Sequence, residues 1–303
     1  MSELWSRLGF LAIALVVYRI GTHIPIPGIN PEQVAALFQQ SQGTILQYFN
    51  LFSGGALERM SIFALSVVPY ISSAIVMQLF SNSVPYLQEL KKDGQAGRNK
   101  ITQYTRYGTV IFALIQSSAL TVTLQTAGLI DAGSIFSAFV AVISIVTGTM
   151  FLMWLGEQIS ERGIGNGISI IIATSIITGV PRAFGQALEQ TQQGDLNYLL
   201  LIVLAVLTLL VVAFVVFVEN AQRKITVNYA QRNQVRGMIQ APSSFLPLKL
   251  NMSGVIPAIF ASTFLLFPAS LSSWFGNIDG LGGLQEFSLY LNPGQPLYIL
   301  LFL

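Results

Sequence analysis

Seven times along this 303-residue chain, about twenty residues pass with almost no charge, and no soluble fold can hide that many such runs at once. The stretches cover residues 8–25, 61–80, 104–124, 135–155, 164–180, 198–218 and 253–275, and an eighth begins at Pro296 and is short at Leu303. A soluble chain charges about a quarter of its residues to face water, whereas here only 9% are charged and 53% are hydrophobic. The surface must therefore face lipid, and the spans must be helices, which satisfy their own backbone hydrogen bonds. The sequence predicts an all-α polytopic membrane protein with seven full spans and the start of an eighth.

The first stretch, Arg7 followed by an apolar run over residues 8–17, has the look of a signal peptide. No small-residue cleavage site follows, so an uncleaved first span is expected. Basic residues then alternate by loop. Arg7, Lys91, Lys92, Arg98, Lys100, Arg162, Arg223, Lys224, Arg232, Arg236 and Lys249 fall on one side. The other side holds only Arg59 and Arg182, against Glu32, Glu58, Asp131, Glu189, Asp195, Asp279 and Glu286. The positive-inside rule makes the N-terminus cytoplasmic.

Two connections exceed simple turns. Residues 44–53, before Gly54 and Gly55, are too few to span and too apolar for water. They are expected to fold back at membrane depth, where surrounding protein can shield the backbone. Near residues 219–251, Ile225, Val227 and Tyr229 alternate with polar residues, Gln231 to Gln234 reads as a turn, and a return run covers residues 235–239. That pattern predicts a protruding basic hairpin.

Several chemistries lack their parts. The chain has no cysteine and one histidine, His23, so neither a metal cluster nor a Ser-His-Asp set can be assembled, and no cofactor is expected. Gly163-Ile-Gly-Asn-Gly167 lacks the Gly-Lys-Ser/Thr ending of a phosphate loop and reads as a tight turn or helix start. Asn251-Met-Ser253 matches a glycosylation pattern on the expected cytoplasmic side, which chance explains. Arg19 and Arg106 lie near span ends, where their stems can snorkel. No Asp or Glu lies within a span, which counts against a transporter driven by protons or sodium. A polypeptide channel, a small-solute transporter and a passive membrane scaffold remain as readings of the residues alone.

Specific strings narrow the choice. Ile24-Pro-Ile-Pro-Gly28, Phe52-Ser-Gly-Gly-Ala-Leu57, Ser61-Ile-Phe-Ala-Leu65, Pro69-Tyr-Ile71 and Gln103-Tyr-Thr-Arg-Tyr-Gly108 occur in order. Leu155-Gly-Glu-Gln158, the run from Glu161 to Ile170, Val227-Asn-Tyr-Ala230, and the run from Leu246 to Phe260 follow. Over nearly the whole chain these resemble the SecY family, the central subunit of the bacterial protein-conducting channel.

The resemblance implies two inverted pseudo-symmetric halves, residues 1–181 and an incomplete 182–303, around an hourglass pore. The family has ten spans, so full activity would need more chain than these 303 residues carry. An apolar ring would close the waist: Val67 and Ile71, Ile168 and Ile172, and Ile259. From the residues alone, the same side chains read as ordinary helix packing. A plug over residues 44–60 would include Tyr48, Phe49, Asn50, Phe52, Ser53, Gly54 and Gly55. The second and seventh spans, weakened by Pro69 and Pro257, would open sideways to lipid. Arg223, Lys224, Arg232, Arg236 and Lys249 would dock the ribosome, through rRNA phosphates, and the SecA motor. SecE and SecG would be companion subunits, with signal sequences and nascent chains as cargo. The bacterial cytoplasmic membrane would be the location.

Overall fold

The computed structural model describes residues 2–29, 33–34, 50, 53–129, 135–194, 197–227, 244–251 and 295. The expected spans at 253–275 and from 296 lie outside them. Seven helices and one two-stranded ribbon occur among the described residues. The helices are α1 (Ser2–Gly21), α2 (Val68–Ser83), α3 (Pro85–Lys92), α4 (Gly94–Thr126), α5 (Ile135–Arg162), α6 (Gly167–Gln193) and α7 (Tyr198–Asn220). The ribbon is β1 (Gln222–Val227) with β2 (Ser244–Lys249). Five of the helices, α1 and α4 to α7, are long and apolar enough to cross a membrane. The described residues divide into two compact units, residues 1–183 and a second beginning at Phe184.

Helix ends depart from the apolar stretches for local reasons. α4 starts at Gly94, ahead of the apolar run at 104, because a helix need not stop where the bilayer does, and Arg98 and Lys100 extend it into water. α6 continues through Pro181 to Gln193 where a stop after Val180 was expected. One proline removes one backbone bond and kinks a helix without always ending it. Between α5 and α6, Asn166 caps the new helix: its Oδ1 accepts from the backbone N–H of Ile168 and Ser169. Gly163 to Gly167 is thus a turn and a helix start.

The second span needs a larger correction. Residues 61–67 are not helical, and α2 begins only at Val68. Ser61 instead forms a β-bridge with Pro25. The N–H of Ile26 donates to Met60 O at 2.8 Å, and that of Ile62 to Ile24 O at 3.0 Å. A series of four-residue turns, each closed by an N–H donating to the carbonyl three residues back, then carries the chain to α2. Pro69 sits in the first turn of α2, where the missing N–H would have had no helical partner. It therefore does not weaken the helix, contrary to the expectation from its place in the apolar run.

The first unit's core joins Ile26, Leu57, Met60, Ala64 and Leu65 to Leu120 and Leu124 of α4 and Ala141 and Ile145 of α5. Lipid is as apolar as these side chains, so close packing rather than water exclusion holds spanning helices together. In the second unit α7 has no buried residue, as suits a helix apolar on every side.

The ribbon is antiparallel with Gln222 opposite Lys249 and Val227 opposite Ser244. Residues 222–227 thus pair with 244–249 rather than with a return at 235–239. Alternation in residues 225–229 could not reveal the partner, because the true partner carries Pro247 and reads poorly as a strand. In a ribbon of two strands both edges are open, which is where proline is tolerated. Leu250 N–H donates to Ala221 O, and Asn251 Nδ2 to Glu219 Oε1 at 2.7 Å, closing the ribbon's base.

Candidate functional site

The segment from Ser53 to Val67 is the candidate site. It has irregular backbone, yet Ser53, Ala56, Leu57, Met60, Phe63, Ala64 and Val67 are all buried. A segment without a helix or sheet ladder can sit among membrane helices only if protein meets its polar groups. It does so here. Tyr18 of α1 donates its hydroxyl to Ser53 O at 3.3 Å and shares a 2.5 Å hydrogen bond with Ser175 Oγ of α6. Ser53 Oγ accepts the Leu57 N–H, and Gly55 N–H donates to Asn50 O. Gly54 and Gly55 hold φ of 66° and 80°, and a side chain at Gly54 would press on the Ser175 backbone. Phe63 stacks between Tyr18 and Phe151 of α5, with centroids 6.2 and 5.9 Å apart.

The charged residues of this region form one cluster. Arg182 reaches Glu58 with both terminal nitrogens, at 2.6 and 2.7 Å. Asn50 braces the same carboxylate: its Nδ2 donates to Oε2 at 3.2 Å, and its Oδ1 accepts the Glu58 N–H at 3.1 Å. Arg59 Nη1 lies 3.1 Å from His23 Nε2, and His23 Nδ1 lies 2.9 Å from Arg19 O. The two arginines that run against the positive-inside pattern are therefore both engaged. Arg106, near a span end, forms a two-pronged pair with Glu157 of α5 at 2.9 Å.

The Arg182 guanidinium holds the Glu58 carboxyl below the usual range, outweighing the burial that would raise it; Asn50 and Arg59 pull the same way. A depressed carboxyl stabilises the fold fully above its unfolded pKa, near 4.3, and loses that contribution as pH falls through the folded value. Glu58 is 11% exposed and Arg182 50%, so the pair lies between surface and buried classes, worth roughly 1–2 kcal/mol. Glu58→Gln should thus lower the melting midpoint by a few degrees at neutral pH. The gap should hold down to about pH 5 and close below about pH 4. Melts of purified protein across that range check the sign, and a gap that widens in acid would refute it.

Of the expected ring residues, Val67 immediately precedes α2 and is 1% exposed, and Ile71, whose N–H donates to Val67 O, is also buried. Ile172 of α6 is buried, and half-buried Ile168 lies against Gly156 of α5. Ile259 lies outside the described residues. Among plug residues, Asn50, Ser53, Gly54 and Gly55 are described, while Tyr48, Phe49 and Phe52 are not. Arg223, Lys224 and Lys249 are exposed on the ribbon, on paired strands; Arg232, Arg236 and Pro257 lie outside. Neither the Glu58–Arg182 pair nor Tyr18 was singled out from sequence, and only Arg182's place on the acidic side hinted at a partner.

The SecY family model matches residues 61–303. A protein translocase subunit SecY from Pseudomonas aeruginosa is 58% identical over 302 residues, which is all of this chain and 68% of that one. The chain belongs to the SecY family. This is a family of translocase channel subunits and not of enzymes, and it replaces the transporter and scaffold readings. The fold matches a structure of the SecY translocation channel and its plug domain, with TM-score 0.66 and 19% identity, over 90% of this chain and 58% of that one. It also matches Sec61 from the canine ribosome–channel complex, with TM-score 0.64 and 18% identity, over 90% and 59%. The chain spans about two thirds of the curated relative and less of the solved channels.

Proposed function

We propose that this chain forms the pore-lining part of a Sec translocase in a bacterial cytoplasmic membrane, passing unfolded polypeptides across it and releasing apolar segments sideways into lipid. The observation that carries this reading is the enclosed irregular segment at residues 53–67. The segment is a buried non-helical peptide braced by neutral and ionic ties rather than built into a helix. A channel wide enough for a polypeptide needs such a stopper when idle. Residues 44–60 are the plug in this reading, and Val67, Ile71, Ile168, Ile172 and Ile259 form the water-excluding ring. Residues 1–181 and 182–303 belong to opposed halves.

The ribbon extends from the cytoplasmic end of α7, with the N-terminus on the same side. Arg223 and Lys224, adjacent on β1, present charge on both of its faces. With Arg232, Arg236 and Lys249 they suit rRNA phosphates and the acidic surface of a motor such as SecA. SecE and SecG are the companion subunits this reading calls for, and signal sequences and nascent chains the cargo.

A chimera tests the whole reading. Residues 1–303 should replace the matching part of the Escherichia coli SecY, which is 55% identical over 306 residues, and sustain growth of cells depleted of their own. A chimera that inserts and accumulates normally but exports no protein would overturn it.

A further inference from the structure

Resting on the plug reading, we infer that Glu58 and Arg182 are positioning residues for the stopper: an ionic clasp that holds residues 53–60 against α6 and sets how readily they leave. Ser175, Thr178 and Arg182 lie three and four residues apart, so they share one face of α6. Gly54 lies against Ser175 and Thr178, and Glu58, one helical-turn equivalent further on, meets Arg182. The segment is thus tied to α6 at two points of different character.

The inner tie is neutral and buried, made by Tyr18, Ser53 and Ser175. The outer tie is ionic, with two prongs and a planar match that fixes direction as well as distance. Asn50 presets the carboxylate by donating to Glu58 Oε2 and accepting the Glu58 backbone N–H. The Arg182 end stays half exposed, so salt and solvent reach it. A positive charge at that position works against the orientation of the chain in the membrane, which gives no reason for it to be there. Pairing with the segment does. Breaking the outer tie leaves the inner one in place, so the segment loosens while the helices stay assembled.

With no cysteine among these 303 residues, a single one can be placed and labelled in the protein assembled with its partner subunits in membranes, any cysteine elsewhere being replaced by serine. Ala56→Cys places a thiol at a position that is 0% exposed and outside both ties. Modification by a membrane-impermeant maleimide from the outer side should be slow. It should quicken about tenfold with Glu58→Gln or Arg182→Gln, and slow again in the charge-swapped Glu58→Arg/Arg182→Glu pair. With both native charges kept, raising the salt should also quicken it, a readout that needs no stable single variant. Equal rates in all backgrounds and at all salt concentrations would overturn the clasp. Ion conductance, measured in parallel, reports on the plug. Faster labelling without added conductance keeps the clasp and refutes the plug reading, whereas added conductance with unchanged labelling refutes the clasp.

Discussion

Asparagine at both Ile71 and Ile172 should make the resting protein leak ions, by roughly ten- to a hundredfold over the parent in planar bilayers, without loss of folded material. Branched aliphatic side chains in a narrow passage keep water out, and an ion that must shed its hydration finds the passage closed. Two amides at the waist give water a foothold, and each 1.4 kcal/mol removed from the barrier is worth about tenfold in conductance. Both isoleucines are largely buried, which either role explains. Their cost separates the roles. A pore-facing amide stays hydrated, whereas one driven into helix packing costs about 1–3 kcal/mol without a partner, twice over in the double variant. Ile168 completes the comparison, since this ring residue also rests on Gly156 of the neighbouring helix. Ile168→Asn should cost more stability and add less conductance than either ring partner. Loss of folded protein with no leak from the Ile71/Ile172 variant would assign both positions to packing.

A large effect on stability should come from Gly148. A Cβ there would fall on the carbonyl oxygen of Ile62 and crowd the ring of Phe63. Ile62 cannot move aside freely, because its N–H is bonded to Ile24 O and its neighbour Ser61 bridges Pro25. Phe63 is held between Tyr18 and Phe151. Overpacking against fixed backbone costs about 1–3 kcal/mol for a methyl group and more for a larger side chain. Gly148→Ala should lower the melting midpoint clearly, and Gly148→Leu should abolish a protease-resistant fold. Gly9, also helical, has nothing within 4 Å of its Cβ position. Gly9→Ala should be neutral or stabilising, since alanine is favoured over glycine in a helix by about 1 kcal/mol. A Gly148→Leu variant as stable as the parent would show that residues 61–63 are not seated against α5.

Membrane class, helical architecture and most spans were legible because hydropathy is a local sum. Twenty apolar residues must be helical in lipid whatever surrounds them, and α7 is the limiting case, with every residue's role readable from its own neighbours. The family strings were legible as residue identities in order, and a ribbon near residues 219–251 as period-2 alternation. The stretch at residues 61–67 was not. Its apolar residues satisfy the hydropathy of a span, yet pairing with residues 24–26 and turns within the segment supply the backbone partners that a helix would otherwise have to provide. Pairing of β1 with 244–249 likewise depended on a strand that Pro247 disguises.

Charge placement divides the same way. Counting Lys and Arg by loop gives an orientation and flags Arg59 and Arg182 as exceptions, but a count has no geometry. Glu58 and Arg182 stand 124 residues apart, and what joins them is the face of α6 continued past Pro181 together with the turn at Gly54 and Gly55. Gly148 is one glycine among 26 in the sequence, and only the approach of Ile62 makes it irreplaceable. The sequence by itself determined what must lie in lipid, because that follows from each residue's own transfer energy. The tertiary structure decided which buried groups meet, because contact depends on where distant backbone is held.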